Sequence, residues 1–473
     1  MFLLPFLVVF ITSLYQPIDA DLGWHLKHGQ YFFEHGQILR DNIFSTEMAE
    51  FKWANSSWGT DLITYAVYSV FGFWGLSVLA AFVITLSFYF VSLTAKLDFF
   101  EKSVIFPFLI FLLEPVNLVS FRGQLISLLF LTILFYILTK LEETKTRLIY
   151  LLIPLFVIWI NLHGEFILGL GLTFIWGATY LFKLILKSWS FTELLGALKI
   201  LGPVFILSTL GTLINPFGME IYKTQLTHFQ NPSLKDIIEY LPLDQFSSLW
   251  WNHLMLSLFL VASVAIIYFS GELKSKLTVL FPSSIILALS FLVRRYSWVL
   301  YYLVVPLLKP IASLFKPKDK ADAQHLGSFI LITYFILVVL INNPFSRIGN
   351  MSWESFCQRT SCSPKAAEYL IQNGYSGNLL TLYNWGGWLI WNYPEIKPSI
   401  DGRMHLWKDQ NGYSAFSEYY PLEQNLADID QSKYDTVFIS PEKPIFKRLG
   451  GLVEEGKWKV VYQDEQASIF VRN

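Results

Sequence analysis

The chain reads as an α-helical polytopic membrane protein of about eleven transmembrane helices, followed by a small C-terminal external α/β domain. Three observations predict this class. Over 473 residues, 54% are hydrophobic and only 15% charged, outside the usual composition of a soluble domain. The apolar residues gather into runs that match, or nearly match, the ~30 Å hydrocarbon core of a bilayer. The remainder of the chain, after position 342, changes character, with turn signals separating short apolar-rich stretches.

The first run, MFLLPFLVVFITSLYQPIDA, lacks the basic leading segment of a signal peptide and reads as a retained first span. Further runs fall at 61–94, 103–115, 123–139, 148–161, 165–182, 200–215, 252–270, 278–293, 296–314 and 326–342. One set of short loops carries fourteen Lys and Arg, from Lys96 and Lys102 to Lys318 and Lys320, whereas the opposite set carries Arg122, Arg294 and Arg295. Positive charge is retained on the cytoplasmic side, so the N-terminus is expected in the cytoplasm and the C-terminus outside the plasma membrane. The division that follows is a transmembrane part, 1–342, with external loops 18–60 and 216–251, and an external domain, 343–473. FKPKDKADAQ, 315–324, is then a basic cytoplasmic connector.

Within the terminal part, NLLTLY, YDTVFIS and WKVVYQD have strand composition. SPKAAEYLIQNG predicts a helix, with Ser363 as N-cap, Pro364 in the first helical position and Gly374 at the stop. Cys357 and Cys362 are the only cysteines and permit either one small disulfide loop or two thiols.

The stretch DADLGWHLKHGQ, 19–30, sets Asp19, Asp21, Trp24, His25 and His28 where the first apolar segment ends. Two carboxylates at that depth can bind a divalent cation, Mg or Mn, or one of them can act as a general base; the same pattern also serves an ordinary solvated loop. Trp24 doubles as an interfacial anchor, and the i, i+3 histidines share a helix face without the further ligands a zinc site needs.

This stretch continues into GQILRDNIFSTEMAEFKWANSSWGTDLITYAVYSVFG. A short first helix, an acidic external loop with Asp-x-Asp, a GQIL-RDNIFS turn and a helix beginning near a Trp together resemble the GT-C superfamily of integral-membrane glycosyltransferases. The resemblance implies a polyprenyl-linked sugar donor, chemistry on the external face, an acidic first-loop residue as base, here Asp19 or Asp21, and a soluble C-terminal domain. A second segment, YNWGGWLIWNYPEIKPSIDGRMHLW, 383–407, is similar to the Trp-Trp-Asp-Tyr-Gly segment of the oligosaccharyltransferase catalytic subunit. Asn384 stands at its Asp position. Tyr383, Asn384 and Trp385 are accordingly expected at an acceptor or sugar surface, together with Asp401 and Arg403 of the IDGR turn, whose plainer reading is an exposed turn salt bridge.

Other polar residues fall at external helix ends. Glu114 is a third candidate metal ligand beside Asp19 and Asp21. Arg122, Arg294 and Arg295 have the bidentate geometry that grips a lipid-linked phosphate, and also suit snorkelling at the headgroups. Trp24, His25, His163 and Glu239 complete the expected acceptor or sugar site. Asn55-Ser56-Ser57 and Asn350-Met351-Ser352 match the glycosylation triplet. A net charge of -1 gives no reason to invoke nucleic acid, and no P-loop or G-x-G-x-x-G follows a strand, which argues against a nucleotide sugar as direct donor.

Two readings follow. One is a cell-envelope glycosyltransferase moving a sugar from a polyprenyl-(pyro)phosphate to an external glycan, lipid or protein. The other is a non-catalytic membrane scaffold, or a lipid or glycan transport partner, that keeps the fold.

Overall fold

The computed structural model describes all residues except 1–2, 114–120, 145–146, 189, 343–348, 350 and 375–376. Each of the eleven apolar runs contains a helix: Leu4–Thr12, Trp58–Thr94, Phe99–Leu113, Gly123–Thr144, Leu152–Leu162, Phe166–Ser188, Phe191–Gly211, Ser248–Phe269, Leu277–Leu292, the pair Ser297–Leu303 and Val305–Leu314, and Lys320–Asn342.

Not all eleven qualify as spans by length and composition among the described residues. Among the described residues, seven helices are long and apolar enough to cross a membrane, or eight if the pair across 294–314, bent by 54°, counts as one. The first helix has nine residues, which at ~1.5 Å per residue covers roughly half the hydrocarbon thickness. Leu152–Leu162 also falls short, with eleven residues, and Phe99–Leu113 has fifteen among the described residues. An apolar run reports burial, and a short helix packed inside a bundle is as apolar as one that faces lipid. The protein is an integral membrane protein on the spans that remain.

The chain divides into two compact units. The first, 1–15, 77–218 and 237–348, holds helices and no strand among its described residues. Its interior is aromatic: Phe106 packs edge-on to Phe88 at 4.9 Å, and Phe88 meets Tyr302 at 5.5 Å.

The second unit joins 16–76 and 219–236 to 349–473. In this division residues 349–473 group with the whole of the first loop, 18–60, and with part of 216–251. A four-stranded sheet runs β1-β2-β4-β3, with β1 Leu379–Thr381, β2 Thr436–Ile439, β3 Trp458–Gln463 and β4 Ser468–Arg472. β1 and β2 are parallel and the remaining pairs antiparallel. Three of these strands are the predicted ones; β4 extends the set. The helix Pro364–Gln372 begins as expected, with Ser363 Oγ accepting from the Ala366 N–H and Pro364 in the first turn. Cys357 and Cys362 form a disulfide.

Helix Trp58–Thr94 passes from the second unit into the first and is broken at Gly72, whose φ of 58° and ψ of -150° suit glycine alone.

Candidate active site

The second unit assembles the first-loop residues. Asp21 precedes the helix Leu22–His35, which ends at Gly36 in the left-handed conformation, φ 67°. This helix lies on the short helix Gly386–Asn392 with almost no space between backbones. A Cβ on Gly23 would overlap the Gly387 carbonyl oxygen, one on Gly387 the Ala20 carbonyl oxygen, and one on Gly402 the Asp21 carboxylate. Three glycines thus allow the Asp-x-Asp segment to lie directly against 386–402. Asp19 Oδ1 accepts the Asp21 N–H at 3.2 Å.

His25 Nδ1 lies 2.5 Å from Asp61 Oδ1. The other Asp61 oxygen accepts from Asn55 Nδ2 at 2.6 Å, and Asn55 Oδ1 accepts the Ser57 N–H at 2.9 Å. The Trp24 ring stacks on His25 at 3.6 Å. Burial disfavours the imidazolium, but the Asp61 carboxylate, helped by Asp21 and Asp19, outweighs it and raises the His25 pKa. Asn55 is buried with its amide engaged on Asp61, so its triplet serves a turn and is not an exposed glycosylation acceptor; Asn350 lies outside the described residues.

Asp401 and Arg403 are not at the surface. Arg403 directs Nε and Nη2 to the two Asp401 oxygens at 2.7 Å each, Nη1 to His28 Nε2 at 3.0 Å, and Nη2 to Asn42 Oδ1 at 3.0 Å. Ser45 Oγ donates to Asp401, and the guanidinium sits 5.0 Å from the Trp407 ring centre. This is a buried, fully hydrogen-bonded ion pair tying the first loop to the terminal domain within the unit. Burial alone would raise the Asp401 pKa; Arg403 overrides it and holds it low. The same guanidinium, with burial as the larger cause, drives the His28 pKa well below its ordinary value.

Among the 383–385 residues, Tyr383 Oη lies 2.6 Å from His405 Nδ1 and donates to the Gly402 carbonyl at 3.0 Å. Asn384 is exposed. Trp385 is a core residue, packed on Phe438 at 4.9 Å and on Trp388, so its faces are already covered.

The remaining expected residues belong to the first unit. Arg295 Nη1 donates to Glu239 at 2.6 Å, its Nε lies 3.4 Å from Glu165, and the guanidinium stands 5.4 Å from the Tyr240 ring centre. Burial raises the Glu165 pKa against the pull of Arg295. Arg122 also exerts its charge on Glu165. Arg294 donates to the Pro242 carbonyl at 3.3 Å. His163 Nδ1 is 2.7 Å from Ser127 Oγ, which also accepts the Trp159 indole N–H at 2.8 Å.

Glu114 lies outside the described residues. Among the described residues no three His, Cys, Asp or Glu side chains gather closely enough to hold a metal ion. The residues that sequence reasoning missed are Asp61, Asn55, Asn42 and Ser45. Asp61 had one signal, a carboxylate in the first turn of an otherwise apolar helix.

No family model and no curated protein matches the chain at the level of sequence. Solved structures do: ArnT from Cupriavidus metallidurans, crystallised bound to undecaprenyl phosphate, aligns with a TM-score of 0.51 over 98% of this chain and 96% of its own, at 10% identity. At that identity the likeness is one of fold, and it extends over nearly all of both chains: this protein has an ArnT-like membrane fold.

Proposed function

We propose that the protein is a membrane glycosyltransferase that moves a sugar from a polyprenyl-(pyro)phosphate donor to a glycan, lipid or protein acceptor outside the plasma membrane, as part of cell-envelope glycosylation. The observation that carries this reading is the shared fold with a protein holding undecaprenyl phosphate, in a chain whose acidic first loop is built into an ordered cluster of titratable groups. The disulfide supports an oxidising, external setting for the terminal domain.

In this reading the first loop, with Asp19 and Asp21, receives the acceptor's proton, and Trp24, Tyr383 and the exposed Asn384 contribute to the acceptor side. Arg122, Arg294 and Arg295 serve the donor phosphate, which displaces the half-exposed Glu239 carboxylate from Arg295. No step is routed through Mg or Mn. A non-catalytic scaffold is the second reading, favoured by one observation: Arg295 is already neutralised by Glu239 and Glu165.

The test is transfer of labelled sugar from polyprenyl-phosphate donors to envelope acceptors by purified protein in vesicles. We expect transfer by the wild type and at least a tenfold loss in the Asp19→Ala/Asp21→Ala double variant at equal expression, in line with the scale of single acid–base contributions. A folded wild type inert with every such donor favours the scaffold.

A further inference from the structure

The first-loop helix carries two histidines three residues apart, and their partners force them into opposite roles. A guanidinium only donates, so His28 Nε2, facing Arg403 Nη1 at 3.0 Å, must accept. Burial raises the Asp61 pKa against the pull of His25 and Asn55; in its ionised form the carboxylate only accepts, so His25 Nδ1, facing it at 2.5 Å, donates. That fixes the His25 tautomer and leaves Nε2 as its basic atom. Among the described residues no hydrogen bond within the chain engages His25 Nε2.

Exposure follows the same division. The His25 side chain is 12% accessible, whereas Asp61 is 1% accessible. Asn55 holds the second Asp61 oxygen, and the stacked Trp24 ring fixes the plane of the imidazole. A nitrogen base oriented by a buried carboxylate, itself oriented by an amide, is the arrangement that accepts a proton from an attacking hydroxyl. The aspartates beside it are less free to do so: Asp19 Oδ1 receives a backbone N–H, and the Asp21 carboxylate lies against Gly402.

We infer that His25, held by Asp61 and Asn55, is the first-loop base that deprotonates the acceptor hydroxyl in place of Asp19 or Asp21, with Asp61 as a positioning residue and the two aspartates as flanking negative charge. The inference rests on the glycosyl-transfer reading above. As the acceptor oxygen bonds to the anomeric carbon, the bond from that carbon to the donor's phosphate oxygen breaks and its electron pair leaves with the polyprenyl (pyro)phosphate. The hydroxyl proton passes to His25 Nε2, and the resulting imidazolium keeps its Nδ1–H on Asp61. The charges acting on His25 are Asp61, Asp21 and Asp19, all favouring the imidazolium; His28 is held neutral beside Arg403.

The test is kcat/KM for transfer against pH in wild type, His25→Gln, His25→Gly and Asp61→Asn, each checked for a monodisperse profile in detergent. Wild-type activity should fall on the acid side as His25 protonates. His25→Gln should lose about 10²- to 10⁴-fold and that acid limb with it. Imidazole should restore part of the activity of His25→Gly, a result that lost packing does not produce. Asp61→Asn, which removes the charge that raises the His25 pKa, should move the acid limb to lower pH and cost at least tenfold. If His25→Gln does not fold, the Asp61→Asn profile and the imidazole rescue decide. Wild-type-like activity and an unchanged acid limb in His25→Gln or Asp61→Asn overturn the assignment of the base and leave glycosyl transfer standing. A folded wild type that transfers nothing overturns both.

Discussion

Arg403 shows how a residue legible by type can be illegible by environment. Its sequence neighbour Asp401 suggests an exposed turn pair, yet its other partners, His28 and Asn42, lie more than 350 positions away, so no local spacing announces the burial. Asp19, Asp21 and His25 are legible because ionisable groups are scarce in so apolar a chain; the Asp61 partnership, 36 residues distant, is not. The depressed His28 pKa has a direct consequence for stability. The unfolded chain binds a proton near the ordinary value of about 6.5, whereas the folded chain resists it, so this contribution is complete above that pH and is lost as pH falls below it. His28→Gln, whose amide oxygen still accepts from Arg403 but cannot protonate, should flatten the decline of the unfolding midpoint between about pH 6.5 and 5. Equal slopes in the two proteins would sink this account. His25, with a raised pKa, acts in the opposite sense: its contribution is present below about 6.5 and is lost as pH rises through the folded value.

Among elements, those with local signals were legible and those set by tertiary packing were not. Ser363 and Pro364 define their helix start without help from elsewhere. Leu4–Thr12 and Leu152–Leu162 read as spans because burial in a bundle and burial in lipid select the same side chains. The contact between Leu22–His35 and Gly386–Asn392 rests on missing side chains, which hydrophobic patterning does not register. Gly23→Ala should cost about 1–3 kcal/mol, the usual range for overpacking, because the obstructing atom belongs to backbone. Gly450→Ala, on the helix Pro444–Glu454 with nothing within 4 Å of the new methyl, should gain up to about 1 kcal/mol. Thermal unfolding in one detergent compares them; an unaffected Gly23→Ala would show that the two helices can separate without loss.

For the whole molecule, membrane character and the presence of a terminal α/β region were legible from composition, whereas the units were not. The second unit draws on three segments separated by long helical stretches, and chain order does not record which loops join which domain. Orientation rests on loop charge and can be read chemically. Because Cys357 and Cys362 are joined, a single introduced cysteine is the sole free thiol. An impermeant maleimide should label Lys459→Cys in intact cells and Lys318→Cys only after permeabilisation, both positions being exposed. The reverse pattern inverts the topology.

The glycine contacts also bear on descent. Aromatic cores drift by exchanging one ring for another, and loops drift freely, but a backbone resting on a backbone leaves no smaller residue to exchange for glycine. In lineages sharing this architecture, the places of Gly23 and Gly387, which meet backbone carbonyls, are expected to be tightly bounded. An alignment of such lineages should then keep small residues there beside the acidic pair, and side chains larger than alanine at both places would refute this.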